Sequence, residues 1–273
     1  MIGNRRRLAA FGVAFLFVVL YLGFFLRRVY HPQKRLDPEP EVRAVVRTVY
    51  DGDTVKVEFE DRTERSVRLI GVDCAEIDDD REDVRFQALM AKRYAFFKLY
   101  RKKVTLTFDW EREDRHRRLL AYVRTGSGEL FNRRIIEDGF ASAFLKYPFR
   151  EDFRADFIQA EREARRKGAG LWRKEPYPIL EAGQASQNLG RMVTVKYDCV
   201  SVDNKRGFGF LLAEDGIFAA LIPEEEQSLF PDIGSYQGSI LSVTGFLEEF
   251  RGQPQILVYF PRQIEKGNPA VGN

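Results

Sequence analysis

The 273-residue chain reads as an α+β protein. It is expected to contain two small β-barrels in tandem, the first carrying helices and the second all-β, behind one apolar N-terminal helix. Three observations predict this. Residues 42–173 hold five runs rich in β-formers with helix-compatible stretches between them, and residues 191–265 hold five more short β-like runs separated by glycine-bearing turns. Residues 8–26, LAAFGVAFLFVVLYLGFFL, are nineteen consecutive uncharged and mostly apolar residues.

At 1.5 Å per residue, the run 8–26 matches the roughly 30 Å hydrocarbon thickness of a bilayer. Arg5, Arg6 and Arg7 precede it, and Leu26-Arg27-Arg28 offers no small-residue cleavage site after it. An uncleaved anchor whose partner is the lipid bilayer is therefore expected, rather than a removable leader. Basic residues flank it on both sides, so the positive-inside rule nearly cancels. The following domains are expected on the extracytoplasmic side, the commoner outcome for a lone N-terminal anchor. Residues 27–41, charged and proline-bearing, read as a linker.

In the first barrel, the strands are AVVRTVY, TVKVEFE, SVRLIGV, VTLTFDW and RLLAYVR. Helices are expected near Val84–Tyr100, Leu130–Asp138 and Phe153–Lys167. The first should present Phe86, Leu89, Met90, Tyr94, Phe96 and Phe97 on one broad face. The stretch VYDGDTVKV joins two strands through Asp51-Gly52, a pair suited to the positive φ angles of a tight hairpin turn. That reading leaves Asp53, a second carboxylate where the next strand starts, without a structural reason. Residues 174–190, with Pro176, Pro178 and AGQASQNLG, read as a second linker, and 266–273 as a tail.

Composition narrows the chemistry. With 44% hydrophobic and 31% charged residues the chain is globular. Residues 42–174 carry 30 Lys and Arg against 25 Asp and Glu, and residues 190–273 carry 7 against 11. The basic middle suits a phosphate-bearing partner; the acidic C-terminal part does not. Two histidines, His31 and His116, and two cysteines, Cys74 and Cys199, cannot build a zinc cluster at the usual spacings. Both thiols are expected to be free, and any metal should be a hard cation on oxygen ligands.

Asp53 finds partners in two later stretches. VRLIGVDCAE brackets a strand with Arg68 and Asp73 and follows with Glu76, and DRHRRLLAYV sets Arg118 at a strand start. The ordered set DGDT, R-L-I-x-V-D-x-x-E and D-x-x-x-R-x-L-A-Y-V, with the later LFNRRIIEDGFA and GLW, resembles the staphylococcal nuclease (thermonuclease) family over about residues 42–173. The resemblance implies a five-stranded OB-type barrel with helices and calcium-dependent cleavage of DNA and RNA to 3′-phosphate ends. It implies Asp53 and Asp73 as calcium carboxylates, with the backbone carbonyl of Cys74 as a third ligand. It further implies Arg68 and Arg118 on phosphate and Glu76 on the attacking water. Cys74 stands where the family usually has Thr, bringing a thiol beside the metal, and Ala75 replaces a common Pro. The chemistry agrees with the set: a hard dication and two planar guanidiniums offset charge building on phosphoryl oxygens, and a third carboxylate orients or deprotonates water.

Other residues receive plainer readings. Asp78-Asp79-Asp80 reads as a solvated loop, His116 as a surface residue, Tyr122 as packing and Arg101-Lys102-Lys103 as a solvated helix end. Asp51 and Asp114 flank the set and are expected to shape it by hydrogen bonds. In the C-terminal part, GRMVTVKYDCVSV and SVTGFLEEFRGQPQILVYFPRQIE resemble OB-fold domains. Nucleic acid and protein both stay open as its partner. The leading expectation is a monomeric, membrane-anchored calcium-dependent nuclease; the alternative is a catalytically silent nucleic-acid- or protein-binding module on the same fold.

Overall fold

Alternation writes the first barrel. In β1 (Val42–Val49), Ala44 and Val46 face inward, and a bulge after Val46 shifts the phase so that Val49 is also buried. β2 (Thr54–Phe59) buries Val55 and Val57, and β3 (Glu64–Leu69) buries Val67 and Leu69, leaving Arg68 on the outside. With β5 (Lys103–Glu113) and β6 (Leu119–Thr125) these strands close into a barrel in the order β1-β2-β3-β6-β5. All neighbours are antiparallel except the parallel pair β3 and β6. This is the computed structural model of the chain, and it describes residues 41–147 and 149–267. A closed five-stranded barrel with a few helices is the α+β architecture expected from the sequence.

Three helices plug and flank the barrel. α1 (Glu82–Leu99) opens with Glu82 and Asp83 and closes near Lys98, charges that suit the helix dipole. It buries Ala88, Leu89, Met90, Ala91, Tyr94, Ala95 and Leu99, while Phe86, Phe96 and Phe97 are half-buried. α2 (Phe131–Glu137) is tied to the barrel by Asn132, which is fully buried. Its amide accepts from Val123 N at 2.8 Å and donates to the carbonyls of Ile70 at 2.9 Å and Ala121 at 3.2 Å. α3 (Glu151–Lys167) covers the far side with Phe157, Ala160 and Ala164. A two-residue strand β4 (Val72–Asp73) pairs with β7 (Ser142–Ala143), which sets Asp73 opposite Ser142.

The second sheet has eight strands: β8 (Ile179–Glu181), β9 (Arg191–Asp198), β10 (Ser201–Lys205), β11 (Phe208–Leu212), β12 (Ala219–Pro223), β13 (Ile240–Phe250), β14 (Gln253–Leu257) and β15 (Ile264–Gly267). The order is β10-β11-β12-β14-β13-β9-β8, with β15 on β13. Only Cys199 and Val200 separate β9 from β10. One interrupted strand thus pairs with β13 at one end and β11 at the other, and β12 and β14 run parallel. The circuit repeats the strand order of the first barrel.

Several expectations change. The stretch 174–190 contains β8, which pairs with β9, and a 3₁₀ segment at Ala182–Asn188 that buries Ala182 and Ala185. Its polar composition hid an edge strand whose hydrogen bonds are main-chain. β15 carries the sheet to Gly267, into the stretch expected as a tail. The anchor at 8–26, the linker before Glu41 and the tail beyond 267 lie outside the described residues. Among the described residues no helix is long and apolar enough to cross a membrane.

The two sheets share a core. Met192, Phe246 and Phe260 of the second sheet are buried with the residues of the first barrel. The Phe246 ring meets Tyr94, Phe97 and Phe140 edge-on at 5.8–5.9 Å. Beside it, Arg93 on α1 donates Nε to Glu248 Oε2 at 2.9 Å, and Gln255 donates to Glu248 Oε1 at 2.9 Å. The side chains of Arg93 and Glu248 are only 12% and 3% exposed. Burial alone would lower the Arg93 pKa, but the charges of and hydrogen bonds to Glu248 and Tyr259 together outweigh it and the net direction is upward.

Candidate active site

The site begins in the turn between β1 and β2. Tyr50 N and Asp51 N donate to Thr54 O at 3.0 and 3.4 Å, so the turn spans residues 50–53 rather than two. Asp51 Oδ1 accepts from Asp53 N at 2.9 Å and Thr54 N at 2.6 Å, the side-chain cap that shapes the turn. The expected positive φ at Gly52 is absent. Glycine stands there because a Cβ would lie 2.5 Å from Cys74 Sγ and 2.8 Å from the Ala91 Cβ. Close approach, and not turn handedness, selects it.

The turn delivers Asp53, 6% exposed, to one end of the barrel. Its Oδ1 accepts from Thr54 Oγ1 at 3.0 Å and its Oδ2 from Cys74 N at 2.9 Å. Thr54 pairs with Arg68 across the β2–β3 ladder, which brings the Arg68 guanidinium against Asp53. Arg68 Nη2 also reaches Asp73 Oδ1 at 3.5 Å. One guanidinium thus lies between a buried carboxylate and an exposed one. Arg68 Nη1 is the atom ion-paired with the Asp53 carboxylate. Burial pulls the Arg68 pKa down from its ordinary value, partly offset by the surrounding acids. Burial likewise pushes the Asp51 carboxyl up, against hydrogen bonds from Thr54 and the charges of Arg68 and Arg118.

Arg118 enters from the start of β6. Asp114 Oδ2 accepts from Arg118 Nε at 2.7 Å, and Asp114 Oδ1 accepts from Arg118 N at 3.0 Å. Arg118 Nη1 reaches Thr54 Oγ1 at 3.5 Å. Desolvation works to raise the Asp114 carboxyl, but hydrogen bonds from Arg118 and His116 win and hold it low. Thr54 is therefore the hinge of the set, touching Asp53 and Arg118 at once. Sequence reading passed over it; its place directly after Asp53 was the available signal.

Glu76 lies exposed in the loop after β4. Its charge, with those of Asp51, Asp73 and Arg68, acts on the Cys74 thiol, so it shares that end of the barrel. The thiol expected beside the metal is turned inward: Sγ donates to the Phe140 carbonyl at 3.7 Å and fills the space that a side chain at position 52 would need. Burial drives its pKa well up, which leaves a neutral, unreactive thiol. Position 74 thus contributes its N–H to Asp53 and leaves its carbonyl as the possible ligand.

The structure also places the residues given plainer readings. Asp79 is bound by Arg81 through both backbone and side chain, which lowers its carboxyl to about 2. Tyr122 is buried and donates to Asp109 Oδ2 at 2.8 Å. His116 is exposed beside Arg115. Among the described residues no group of three or more His, Cys, Asp or Glu has a metal-holding arrangement. The residues that the resemblance assigns to a metal are two carboxylates, Asp53 and Asp73, and the carbonyl of Cys74. By donor chemistry such an all-oxygen set would suit a hard divalent cation better than zinc or copper.

One end of the five-stranded barrel thus gathers two carboxylates and two guanidiniums, groups whose chemistry suits phosphate. A family model described as staphylococcal nuclease homologue matches residues 66–174. The thermonuclease of Staphylococcus intermedius is 35% identical over 130 residues, covering 48% of this chain and 76% of that protein. That of Staphylococcus hyicus is 32% identical over 124 residues, covering 45% and 72%. Endonuclease YhcR of Bacillus subtilis is 27% identical over 151 residues, covering 52% of this chain and 12% of its own. The chain belongs to the staphylococcal nuclease family, and its relatives support a nuclease-type function.

Proposed function

We propose that the protein is a calcium-dependent nuclease that hydrolyses phosphodiester bonds of DNA, RNA or both. One observation carries this reading: the Arg68 guanidinium lies between Asp53 and Asp73, while Arg118 is joined to Asp53 through Thr54. Calcium, when bound, would supply charge neutralisation and Lewis acidity at a phosphate. Asp53, Asp73 and the Cys74 carbonyl would hold it.

The chain's own residues do the rest. Arg68, ion-paired with Asp53 and reaching Asp73, carries five N–H donors, more than these two carboxylates use, and the rest serve a phosphoryl oxygen. Arg118, oriented by Asp114, donates to the same phosphate from the other side as charge builds in the transition state. Glu76, exposed and unpaired among the described residues, positions or deprotonates the water for in-line attack. Truncating either arginine should lower the rate by about two to three orders of magnitude.

The reading extends to the whole chain. Residues 8–26 anchor it in the bilayer with the soluble part outside, where calcium suffices for an open-sided site. Residues 42–173 are the nuclease domain. Residues 191–265 form an OB-like domain, a reading supported by the circuit of β9–β10, β11, β12, β14 and β13. The test is cleavage of single- and double-stranded DNA and RNA by the full chain with calcium and then with chelator, beside Asp53→Asn. Calcium-dependent cutting that Asp53→Asn abolishes supports the reading. Folded, nucleic-acid-binding protein that does not cut would replace it with the silent binding module.

A further inference from the structure

The C-terminal sheet touches the back of the active site through two short chains of contact. The first runs through α1. Arg93 and Tyr94 engage Glu248 and Phe246 of β13, and Ala91, two residues before Arg93, abuts Gly52 of the site turn. The second runs through Phe140, whose ring meets Phe246 at 5.9 Å and stacks on Tyr94 at 4.5 Å. The Phe140 carbonyl accepts from Cys74 Sγ, and Cys74 N donates to Asp53 Oδ2. The first chain ends on the turn that carries Asp53, and the second on the Asp53 carboxylate that the proposed function assigns to calcium.

This contact is built, not incidental. Phe246 is 1% exposed and belongs to the first barrel's core, although its strand belongs to the second sheet. Glu248 is a buried charge matched by a buried Arg93 and a third group, Gln255. The connection enters the sheet at Gly190, where φ is 83° and a Cβ would lie 2.8 Å from the Phe97 ring. A domain merely tethered by a flexible linker would need none of these features.

We infer that Phe246 and Glu248 are positioning residues of the nuclease site: the C-terminal sheet braces α1 and Phe140, and so fixes the Cys74 amide and the Asp53 carboxylate. The inference rests on the proposed nuclease reading for its catalytic consequence, but the bracing itself is a property of the metal-free chain. Packed interiors transmit small displacements because they have little free volume. Removing the Phe246 ring lets Phe140 and Tyr94 relax toward the gap, and the Cys74–Asp53 hydrogen bond opens more often. The C-terminal half is then part of the catalytic body, whatever else it binds.

The experiment uses the full chain and two readouts. The first is amide hydrogen exchange at Cys74 in metal-free protein, for wild type, Phe246→Ala, Phe246→Leu and Phe218→Leu. Phe218 is buried in the second sheet's own core and belongs to neither contact chain, so it controls for general loss of stability. Phe246→Ala should speed exchange of the Cys74 amide by about tenfold or more, Phe246→Leu by less, and Phe218→Leu not at all. The second readout is the calcium midpoint of DNA cleavage, with kcat and KM separated. Phe246→Ala and Glu248→Gln should raise the midpoint and lower kcat at unchanged KM. Unchanged Cys74 exchange in folded Phe246→Ala, or the same acceleration in Phe218→Leu, overturns the inference. Absence of cleavage by the wild type overturns the nuclease reading alone, because the exchange experiment stands without it.

Discussion

Replacing Gly52 with alanine separates two explanations of one glycine. If the turn needed a left-handed φ, any side chain at position 52 would be strained whatever surrounded it. The backbone is not left-handed there; instead the new methyl meets Cys74 Sγ at 2.5 Å, Ala91 Cβ at 2.8 Å and Cys74 Cβ at 3.3 Å. Such overpacking costs about 1–3 kcal/mol. The same displacement pushes Cys74, whose N–H holds Asp53, so activity should fall together with stability. Removing Sγ relieves the tightest contact and leaves the other two. Gly52→Ala combined with Cys74→Ala should therefore be more stable than the sum of the single changes by about 0.5–1 kcal/mol. The assay is equilibrium denaturation of the full chain followed by tryptophan fluorescence. Both tryptophans, Trp110 and Trp172, lie in the helix-bearing half, so the signal reports on the unit that holds the turn. A neutral Gly52→Ala, or a strictly additive double variant, would refute the packing explanation.

Further outcomes follow from the same contacts. Glu248→Ala leaves Arg93 buried without its partner and should cost about 3–5 kcal/mol, while replacing both residues with Met should cost far less; denaturant midpoints compare them. Tyr122→Phe removes a buried donor to Asp109, which keeps the Trp110 and Arg150 amides, so its cost should be modest, about 1–2 kcal/mol, by the same assay. Asp114 has a folded-state pKa below the ordinary 3.8, so the unfolded chain protonates first as pH falls. Its stabilising contribution is complete above the unfolded value and is lost as pH drops through the folded one. Asp114→Asn should flatten that limb of the stability–pH curve below about pH 4, as urea unfolding between about pH 3 and 6 would show.

Much of the helix-bearing half was legible because its signals are local. Period-2 alternation marked its five strands, and the broad apolar face of α1 was visible within two residues of its observed bounds. The meeting of Asp53, Arg68 and Asp73 was reachable only through motif order. Intervening turns separate them, and nothing in the periodicity says that β2 and β3 pair Thr54 with Arg68. What escaped was set by tertiary contact. Gly52 looks like a turn residue until Cys74 and Ala91 arrive beside it, and Thr54 looks like a strand start until Arg118 reaches it. The polar stretch 174–190 hid β8 because an edge strand needs main-chain partners more than apolar side chains. Nothing local in Phe246 or Glu248 tells that they pack on α1 rather than inside their own sheet.

The most direct test of the central claim is single-turnover cleavage of a labelled DNA by the full chain in saturating calcium, comparing wild type with Glu76→Gln and Arg118→Ala. Glu76 is exposed and Arg118 sits just before β6, outside the buried core, so both variants should fold. The account predicts 3′-phosphate products from wild type, and chemistry slowed about a hundredfold or more by each change with DNA binding largely kept. Wild-type rates from either folded variant would contradict it, and would move the reacting phosphate away from the end of the barrel where Asp53 and Arg68 meet.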